Sequence, residues 1–354
     1  MAQTDDAPFL WPTGAGEGMR GAIAMVTICV DVMGGDREPQ VVLEGIDAVL
    51  KADADLCVLA AGPEELVTPF CADHERARAL VCTEAIAMDE HPAEAVRQKK
   101  DSTIVRACQA VRKGEADGFF SAGSTGAIFA ASTLGVGRIK GIKRPAIAGV
   151  LPGPSGRQTV MLDLGANADV RPEMIVQFAQ MGRAYSRVVL GVEDPHVALL
   201  SNGTEDTKGS EQALAFHKAL AEAGPWFAGN AEGTDLLAGT HDVIVTDGFT
   251  GNVALKSLEG TAKYILREVK RMTGQSKRAA AGALLLKPAL KELARGLSGD
   301  ELGGAILLGL KAPVLIGHGD TSVDAIKNGT LATASAVRGG LVDKIAQAIT
   351  RDAD

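Results

Sequence analysis

Residues 117–134 have the sequence Asp-Gly-Phe-Phe-Ser-Ala-Gly-Ser-Thr-Gly-Ala-Ile-Phe-Ala-Ala-Ser-Thr-Leu. A short apolar run ends at Ser121, a turn of small residues follows, and from Thr125 onward apolar residues recur at helical spacing. The pattern predicts a strand that passes through a tight turn into a helix. The first amide groups of such a helix have no partner within it, and the helix dipole adds partial positive charge there. The turn is therefore either an anion-binding site or an ordinary helix start.

Strands and helices alternate along the chain on both sides of this stretch. Apolar, β-rich runs predict strands at 25–31, 55–61, 80–83, 146–151, 159–164, 197–200, 241–246 and 314–316. Apolar spacing and capping residues predict helices between most of them, among them 39–50, 172–189 and a helix capped by Asp101 or Ser102. This alternation predicts an α/β fold with a mainly parallel sheet and helices on both faces.

The first 24 residues differ from the remainder of the chain. They are rich in Gly, Ala and acidic residues, and they lack the hydrophobic core of a signal peptide. We interpret residues 1–24 as a disordered extension, with Met25 as a candidate for the natural start. No repeat or low-complexity linker divides residues 25–354, which are expected to form one α/β domain.

Composition and charge exclude several classes of function. The net charge of −8 argues against non-specific binding of nucleic acid, and an aromatic content of 4% argues against base stacking. The odd number of cysteines, five, without a C-x-x-C pair argues against a disulfide framework and favours a reducing, cytoplasmic location. No apolar stretch approaches the roughly 20 residues that a membrane-spanning helix needs.

Polar and Gly-rich clusters follow six of the predicted strands. They lie at 31–36, 121–126, 163–167, 202–209, 247–252 and 318–322. In open parallel sheets, ligands bind in the crevice beyond the carboxyl ends of the strands. We therefore expect these clusters to converge on one crevice.

Common cofactor and catalytic motifs are absent from these clusters. The chain lacks G-x-G-x-x-G after the first strand, the Walker A pattern and the G-x-S-x-G elbow, and its six histidines have no metal-ligand spacing. Neither a metal nor a cofactor is predicted. What remains is a site of amides, hydroxyls, carboxylates and a few cations, which suits placing an anion against an electrophile. The candidate cations are Lys99, Lys100, Lys208 and Lys256.

Read in order, the clusters resemble those of the phosphate acyltransferases of bacterial phospholipid synthesis. The resemblance spans residue 25 to the C-terminus and rests on segments 30–36, 88–92, 97–102, 121–126, 144–146, 162–167, 247–253 and 284–288. Two of the departures are Ser124, where the family usually has Asn, and Ile306, where Pro is usual.

The resemblance implies a reaction and its partners. A long-chain acyl group passes from acyl carrier protein to inorganic phosphate, which gives an acyl phosphate for phospholipid synthesis. It also implies a homodimer and a fold related to the phosphotransacetylases and the isocitrate dehydrogenase-like decarboxylating enzymes. A downstream glycerol-phosphate acyltransferase is a further expected partner.

Within this reaction we assign hypothetical roles to the clustered residues. The predicted phosphate cradle consists of Ser121, Gly123, Ser124, Thr125 and Gly126, with the four lysines above countering the charge. The expected donors to the thioester carbonyl are Asn167, Asn202 and Asn252. Four carboxylates either orient cations and assist proton transfer or simply cap helices: Asp31, Asp36, Asp163 and Asp247. His318 is a candidate acid for the leaving thiolate, although a lone His before Gly is commonly structural.

Residues 255–296 form a predicted basic helical hairpin. Between 256 and 295, ten Lys or Arg oppose three Glu, which gives a net charge of +7. An apolar stripe on the first helix indicates packing on a dimer mate. The basic faces are expected to contact the acidic acyl carrier protein, anionic membrane on the inner side of the cell, or both, through Lys263, Arg267, Lys270, Lys287 and Lys291.

Three other readings of the sequence stay open. A phosphotransacylase that uses short acyl-CoA would not need the basic hairpin. A nicotinamide-dependent decarboxylating dehydrogenase would need a metal-binding carboxylate set and a dinucleotide site. A non-enzymatic membrane scaffold would leave the six polar clusters without a use.

Overall fold

The structure is a computed structural model that describes residues 25–273, 282, 284–286, 303–319 and 322–351. The predicted N-terminal extension lies outside the described residues. The described strands are β1 (Val26–Asp31), β2 (Leu56–Gly62), β3 (Ala77–Val81), β4 (Gly118–Ser121), β5 (Ala146–Pro152), β6 (Gln158–Leu162), β7 (Val197–Leu200), β8 (Phe227–Ala231), β9 (Val243–Val245), β10 (Ala305–Leu308) and β11 (Val314–Ile316).

Helices connect most of these strands. They are α1 (Pro39–Ala52), α2 (Glu64–Ala72), α3 (Pro92–Gln98), α4 (Thr103–Arg112), α5 (Thr125–Gly135), α6 (Pro172–Tyr185), α7 (Glu211–Ala223), α8 (Gly248–Thr273), α9 (Val323–Arg338) and α10 (Leu341–Arg351). Short 3₁₀ turns lie at Pro154–Gly156 and Gly233–Leu237, and a π-helical turn, Ser186–Leu190, extends α6.

The described strands form one sheet, in the order β3-β2-β1-β4-β11-β10-β5-β6-β9-β7-β8. Seven of its ten pairings are parallel, which confirms the predicted mainly parallel sheet. The three antiparallel pairings lie together in the middle, at β11–β10, β10–β5 and β5–β6. The sheet therefore contains two parallel blocks that run in opposite directions, with β10 and β5 between them.

This reversal places the carboxyl ends of the two blocks at opposite edges of the sheet. The carboxyl ends of β1, β4 and β11 lie at one edge of the sheet, whereas those of β6, β9 and β7 lie at the opposite edge. The expectation that all six clusters converge on one crevice is therefore wrong in part: residues of 202–209 line a second pocket, whereas residues of 163–167 and 247–252 line the same groove as residues of 121–126 and 318–322. The physical reason is the reversed central strand β10, which the sequence reading did not include.

Helices cover both faces of the sheet, as predicted. One buried apolar cluster joins the sheet to α1, α6, α7, α9 and α10, and a second joins its other face to α3, α4 and α5, with α8 at its margin. Helix α5 approaches its neighbours closely because its residues are small. A side-chain carbon at Gly126 would lie 2.6 Å from Pro92 Cγ, and one at Gly135 would lie 2.8 Å from Cys108 Cβ.

All five cysteines are unpaired thiols in the structure. Burial raises the pKa of Cys82 and Cys108 to about 12 and raises that of Cys29 well above its ordinary value. These three thiols are therefore neutral at physiological pH. Among the described helices, none combines the length and the apolar character needed to cross a bilayer.

Candidate active site

A groove of about 360 Å³ opens on the α5 face of the sheet, between the start of α5 and the first half of α8. We call it the central groove. Its floor comes from the three central strands, in particular Ile147, Gly149, Leu151, Ala305 and Ile316. Its polar margin includes Gly123 and Thr125 at the start of α5, His318 after β11, and Asn252, Lys256 and Glu259 on α8.

The three polar loops at this edge of the sheet are joined by backbone hydrogen bonds. The amide of Asp36 donates to the carbonyl of Gly319 at 2.8 Å, and the amide of Gly317 donates to the carbonyl of Ser121 at 2.9 Å. The loops after β1, β4 and β11 therefore form one connected rim. Asp36 and His318 are both exposed on it, and His318 lines the groove.

A buried carboxylate supports this rim from below. The Ser121 hydroxyl donates to Asp31 Oδ2 at 2.7 Å and accepts from the amide of Gly123 at 3.0 Å. A side-chain carbon at Gly34 would lie only 2.8 Å from Ser121 Oγ, so glycine is required above this pair. Burial raises the pKa of Asp31, and hydrogen bonds from Ser121 and Thr103 oppose that shift. Asp31 thus orients the turn from within the core and is 2% exposed.

Asp163 supports the loop after β6 in a similar way. Its carboxylate accepts from four backbone amides and from the Asn167 side chain, and it is fully buried. Burial raises the pKa of Asp163, while these hydrogen bonds lower it. The Asn167 amide also donates to the carbonyl of Pro145 at 2.8 Å. Because both of its donor contacts are to the protein, Asn167 is a structural residue here, in contrast to its predicted role at the thioester.

Two further predicted site residues, Asn202 and Asp247, line a second pocket at the opposite edge of the sheet. This pocket of about 480 Å³ is lined by Asn202, Asp247 and Thr250, among others. Asp247 accepts from the amide and the hydroxyl of Thr250, both at 2.8 Å, so it holds the first turn of α8. Lys208 lies in the same loop as Asn202 and is exposed. Neither Asn202 nor Lys208 is brought to the predicted phosphate cradle.

Comparison with known proteins identifies the family of the chain. Residues 26–344 match the family model described as "Fatty acid synthesis protein". The phosphate acyltransferase of Levilactobacillus brevis is 45% identical over 306 residues, which cover 85% of this chain and 89% of that protein. The phosphate acyltransferase of Desulfitobacterium hafniense is 43% identical over 331 residues, covering 92% and 98%.

The chain belongs to this family. The predictions of a phosphate acyltransferase relationship and of an acyltransferase enzyme are thereby confirmed.

Solved structures confirm the predicted likeness of the fold to the phosphotransacetylases. A phosphotransacetylase from Streptococcus pyogenes superimposes with a TM-score of 0.57 at 16% identity, covering 88% of this chain and 94% of its own. A branched-chain phosphotransacylase from Enterococcus faecalis gives a TM-score of 0.55 at 14% identity, covering 88% and 99%. At these identities the likeness is one of fold.

The residues of the predicted phosphate cradle differ in their access to the groove. Gly123 and Thr125 line it, whereas Ser121 and Ser124 are buried and Gly126 packs against Pro92. The Gly123 amide already has a partner in Ser121. The donors for an anion are therefore the following first-turn amides of α5 and the exposed hydroxyl of Thr125.

Two of the predicted phosphate-binding lysines have other contacts. Lys99 Nζ donates to the Glu90 carboxylate at 2.6 Å and to the carbonyl of Ala85 at 2.8 Å. Lys100 Nζ donates to the carbonyl of Val96 at 3.2 Å. Lys99 thus holds the loop that carries Met88 to the edge of the groove, and neither lysine lines the groove itself.

The basic face of the predicted hairpin is described only in its first half. Lys263, Arg267 and Lys270 are exposed on α8, and the Arg267 guanidinium lies 5.7 Å from the centre of the Tyr264 ring. Ile265 and Met272, from the predicted apolar stripe, are each about half exposed in the single chain. Lys287 and Lys291 lie outside the described residues.

The sequence reading missed the apolar part of the site and one charged residue. Glu259 lines the central groove beside Lys256, with Nζ and Oε2 2.8 Å apart. Their spacing of three residues on a predicted helix was a usable signal. Gly149 and Ala305 gave no signal, because a small residue in a strand marks a groove only once its neighbours are known.

Proposed function

We propose that the protein transfers a long-chain acyl group from a thioester to inorganic phosphate and releases an acyl phosphate and a free thiol. The observation that carries the proposal is that a site suited to an anion adjoins an apolar groove. The start of α5, with Thr125 exposed, opens directly onto a groove whose floor is apolar. An anion and an alkyl chain would meet at that junction. The family of the chain supports the same reaction.

The chemistry needs no intermediate on the enzyme. A phosphate oxygen forms a bond to the thioester carbon, the carbon–sulfur bond breaks, and the sulfur leaves with the electron pair and takes up a proton. A thiol has a reference pKa of about 8.5, so it is a tolerable leaving group near neutral pH. Holding phosphate beside the carbonyl carbon supplies most of the necessary rate enhancement.

The described residues of the groove suit this direct attack. None of the lining residues is a cysteine, and the hydroxyl of Ser121 is engaged with Asp31 and the Gly123 amide. Thr125 and the first amides of α5 would hold phosphate, with Lys256 countering its charge. His318 would supply the proton to sulfur. Asn252 lies beside Gly165 at the Leu164 end of the groove and is left without a part in this step.

The exposed basic face of α8 favours an acidic macromolecular donor. Lys263, Arg267 and Lys270 project from the helix that also forms one wall of the groove. Acyl carrier proteins are strongly acidic, so a cationic face increases their rate of encounter. We therefore assign acyl carrier protein as the donor and expect a cytoplasmic homodimer. Contact with an anionic membrane surface is the second role proposed for this face.

The direct test uses the purified protein with palmitoyl-[acyl carrier protein], with and without phosphate. Free thiol and hydroxylamine-trappable acyl phosphate are measured together. The proposal predicts that both appear in equal amounts and only with phosphate. Thiol release without phosphate would indicate a thioesterase and overturn the proposal. Turnover of short acyl-CoA alone would favour the phosphotransacylase.

A further inference from the structure

One row of residues crosses the sheet from the phosphate end of the groove to its far end. Ser121 of β4 pairs with Ile316 of β11, which pairs with Ala305 of β10. The β10–β5 register, with Ile306 opposite Ala148, places Gly149 beside Ala305. Neighbouring strands lie 4.7–4.9 Å apart, so Ser121 and Gly149 are roughly 14 Å apart across the sheet. All four positions face the α5 side, because residues paired directly across neighbouring strands share a face of the sheet and Ile316 belongs to the buried cluster that contains α5.

The far end of this row is shaped by two small residues and closed by one large residue. Ala305 and Gly149 are the small residues of the floor at this end. A side-chain carbon at Gly149 would lie 2.7 Å from Leu164 Cδ1, so Leu164 covers this position directly. Leu164 is itself 7% exposed and is held by the loop that the Asp163 carboxylate organises. The end of the groove is therefore a supported wall.

Apart from His318, the charged residues that line the described part of the groove form one ion pair, and the polar side chain of Asn252 lies near Leu164 at the far end. Lys256 and Glu259 pair with each other on α8, and the described floor residues from Ile316 to Gly149 are uncharged. Such a channel suits an unbranched alkyl chain whose polar end lies at Thr125. A polar ligand would find few partners along the floor.

We propose that the row Ile316, Ala305 and Gly149 binds the acyl chain, and that Leu164 over Gly149 sets the length of chain the enzyme prefers. This inference rests on the proposed acyl transfer, and it adds the residues that select among acyl groups. The acyl carbonyl lies at the start of α5, and the methyl end of the chain meets Leu164. A methylene that gains apolar contact in the groove changes kcat/KM by roughly fourfold.

The test compares two variants that change the end wall in opposite directions. Gly149→Ala adds one carbon in front of Leu164, and the flexible end of Leu164 can shift to admit it. Leu164→Val removes one methylene from the wall. The measurement is kcat/KM for octanoyl, lauroyl, palmitoyl and stearoyl thioesters at saturating phosphate. Leu134→Ala, on the 73% exposed Leu134 of α5, serves as a control outside the groove.

Opposite shifts in chain-length preference are the expected result. Gly149→Ala should lower the ratio of palmitoyl to octanoyl kcat/KM at least fourfold, Leu164→Val should raise the ratio of stearoyl to palmitoyl, and Leu134→Ala should change neither. A loss that is equal for all lengths would overturn the inference, because general destabilisation does not select among substrates.

A binding measurement separates this inference from the proposed function. Fluorescence of cis-parinaric acid, displaced by octanoate, laurate and palmitate, reports chain binding without turnover. If no thioester is turned over but displacement keeps its length dependence and shifts in the variants, the acyl groove stands and the reaction is wrong. If the three fatty acids displace parinaric acid from the wild-type protein and from Gly149→Ala with the same length dependence, the inference is wrong.

Discussion

Lys256 Nζ lies 2.8 Å from Glu259 Oε2 on consecutive turns of α8, and both side chains line the central groove. The lysine is 60% exposed and the glutamate 23%. Exposed ion pairs contribute only about 0–1 kcal/mol, so an entering anion can compete for the lysine. The pair therefore places one attractive and one repulsive charge beside the proposed phosphate.

The first prediction concerns this repulsive charge. Glu259→Gln should lower the KM for phosphate severalfold, because removing a like charge nearby is worth about 1 kcal/mol at an intermediate dielectric. Lys256→Gln should raise the same KM. Steady-state kinetics with phosphate as the varied substrate provides the measurement.

The same helix supplies a matched control for that experiment. Glu268 pairs with Arg271 at 2.8 Å and at the same spacing, and neither residue lines the groove. Glu268→Gln should leave the KM for phosphate unchanged. Equal effects of Glu259→Gln and Glu268→Gln would show that the groove pair has no special relation to phosphate.

A second prediction concerns the support beneath the phosphate turn. Ser121→Ala leaves the buried Asp31 carboxylate and the Gly123 amide without their shared partner, at a cost of about 1–3 kcal/mol. Both the free energy of unfolding in urea and kcat/KM should fall. Ser132→Ala, at a buried serine in α5 outside the turn, should have a smaller effect on kcat/KM. A Ser121→Ala enzyme with full activity would contradict the supporting role.

A third prediction follows from the raised pKa of Asp31. A carboxyl group whose pKa is raised by folding contributes stability that is fully present below its ordinary pKa of about 3.9. That contribution is lost as the pH rises through the raised value. The stability of Asp31→Asn relative to wild type should therefore improve between pH 4.5 and pH 8, as measured by urea unfolding. A difference that is constant with pH would show that Asp31 has no raised pKa.

The fourth prediction concerns recognition of the donor. Reversing Lys263, Arg267 and Lys270 together to Glu should raise the KM for acyl carrier protein and affect acyl-CoA less. The control reverses three exposed lysines elsewhere, with the same change in net charge: Lys51, Lys113 and Lys218. If both triple variants, or both donors, are affected equally, α8 does not recognise the carrier.

Most of the fold could be predicted from the sequence, because strand and helix patterns are local. The bounds predicted for β7 and β11 match the structure, and the predicted α6, including its π-helical extension, differs by one residue at its end. The short strand Ala305–Leu308 was missed, although its apolar run lies between Gly304 and Gly309. That strand reverses the sheet, and strand direction depends on pairing across distant segments. Its omission contributed to the expectation that all six clusters share one crevice, whereas residues of 202–209 line a second pocket.

The candidate site was predictable in its polar half only. Turns such as 121–126 show in the sequence because small and hydroxyl residues occur together before a helix. Whether a carboxylate supports the fold or faces a ligand depends on burial, which separates Asp31 and Asp163 from the exposed Asp36. Gly149 enters the site only through the registers of three strands, and no local pattern carries that information.

The most direct test of phosphate as the attacking group is thiol exchange. Palmitoyl-[acyl carrier protein] is incubated with the enzyme and isotopically labelled free carrier, with phosphate omitted or supplied. Direct attack by phosphate predicts that label enters the thioester only when phosphate is present, through reversal of acyl phosphate formation. Exchange in the absence of phosphate would mean that the acyl group first moves to the enzyme, and it would contradict this mechanism.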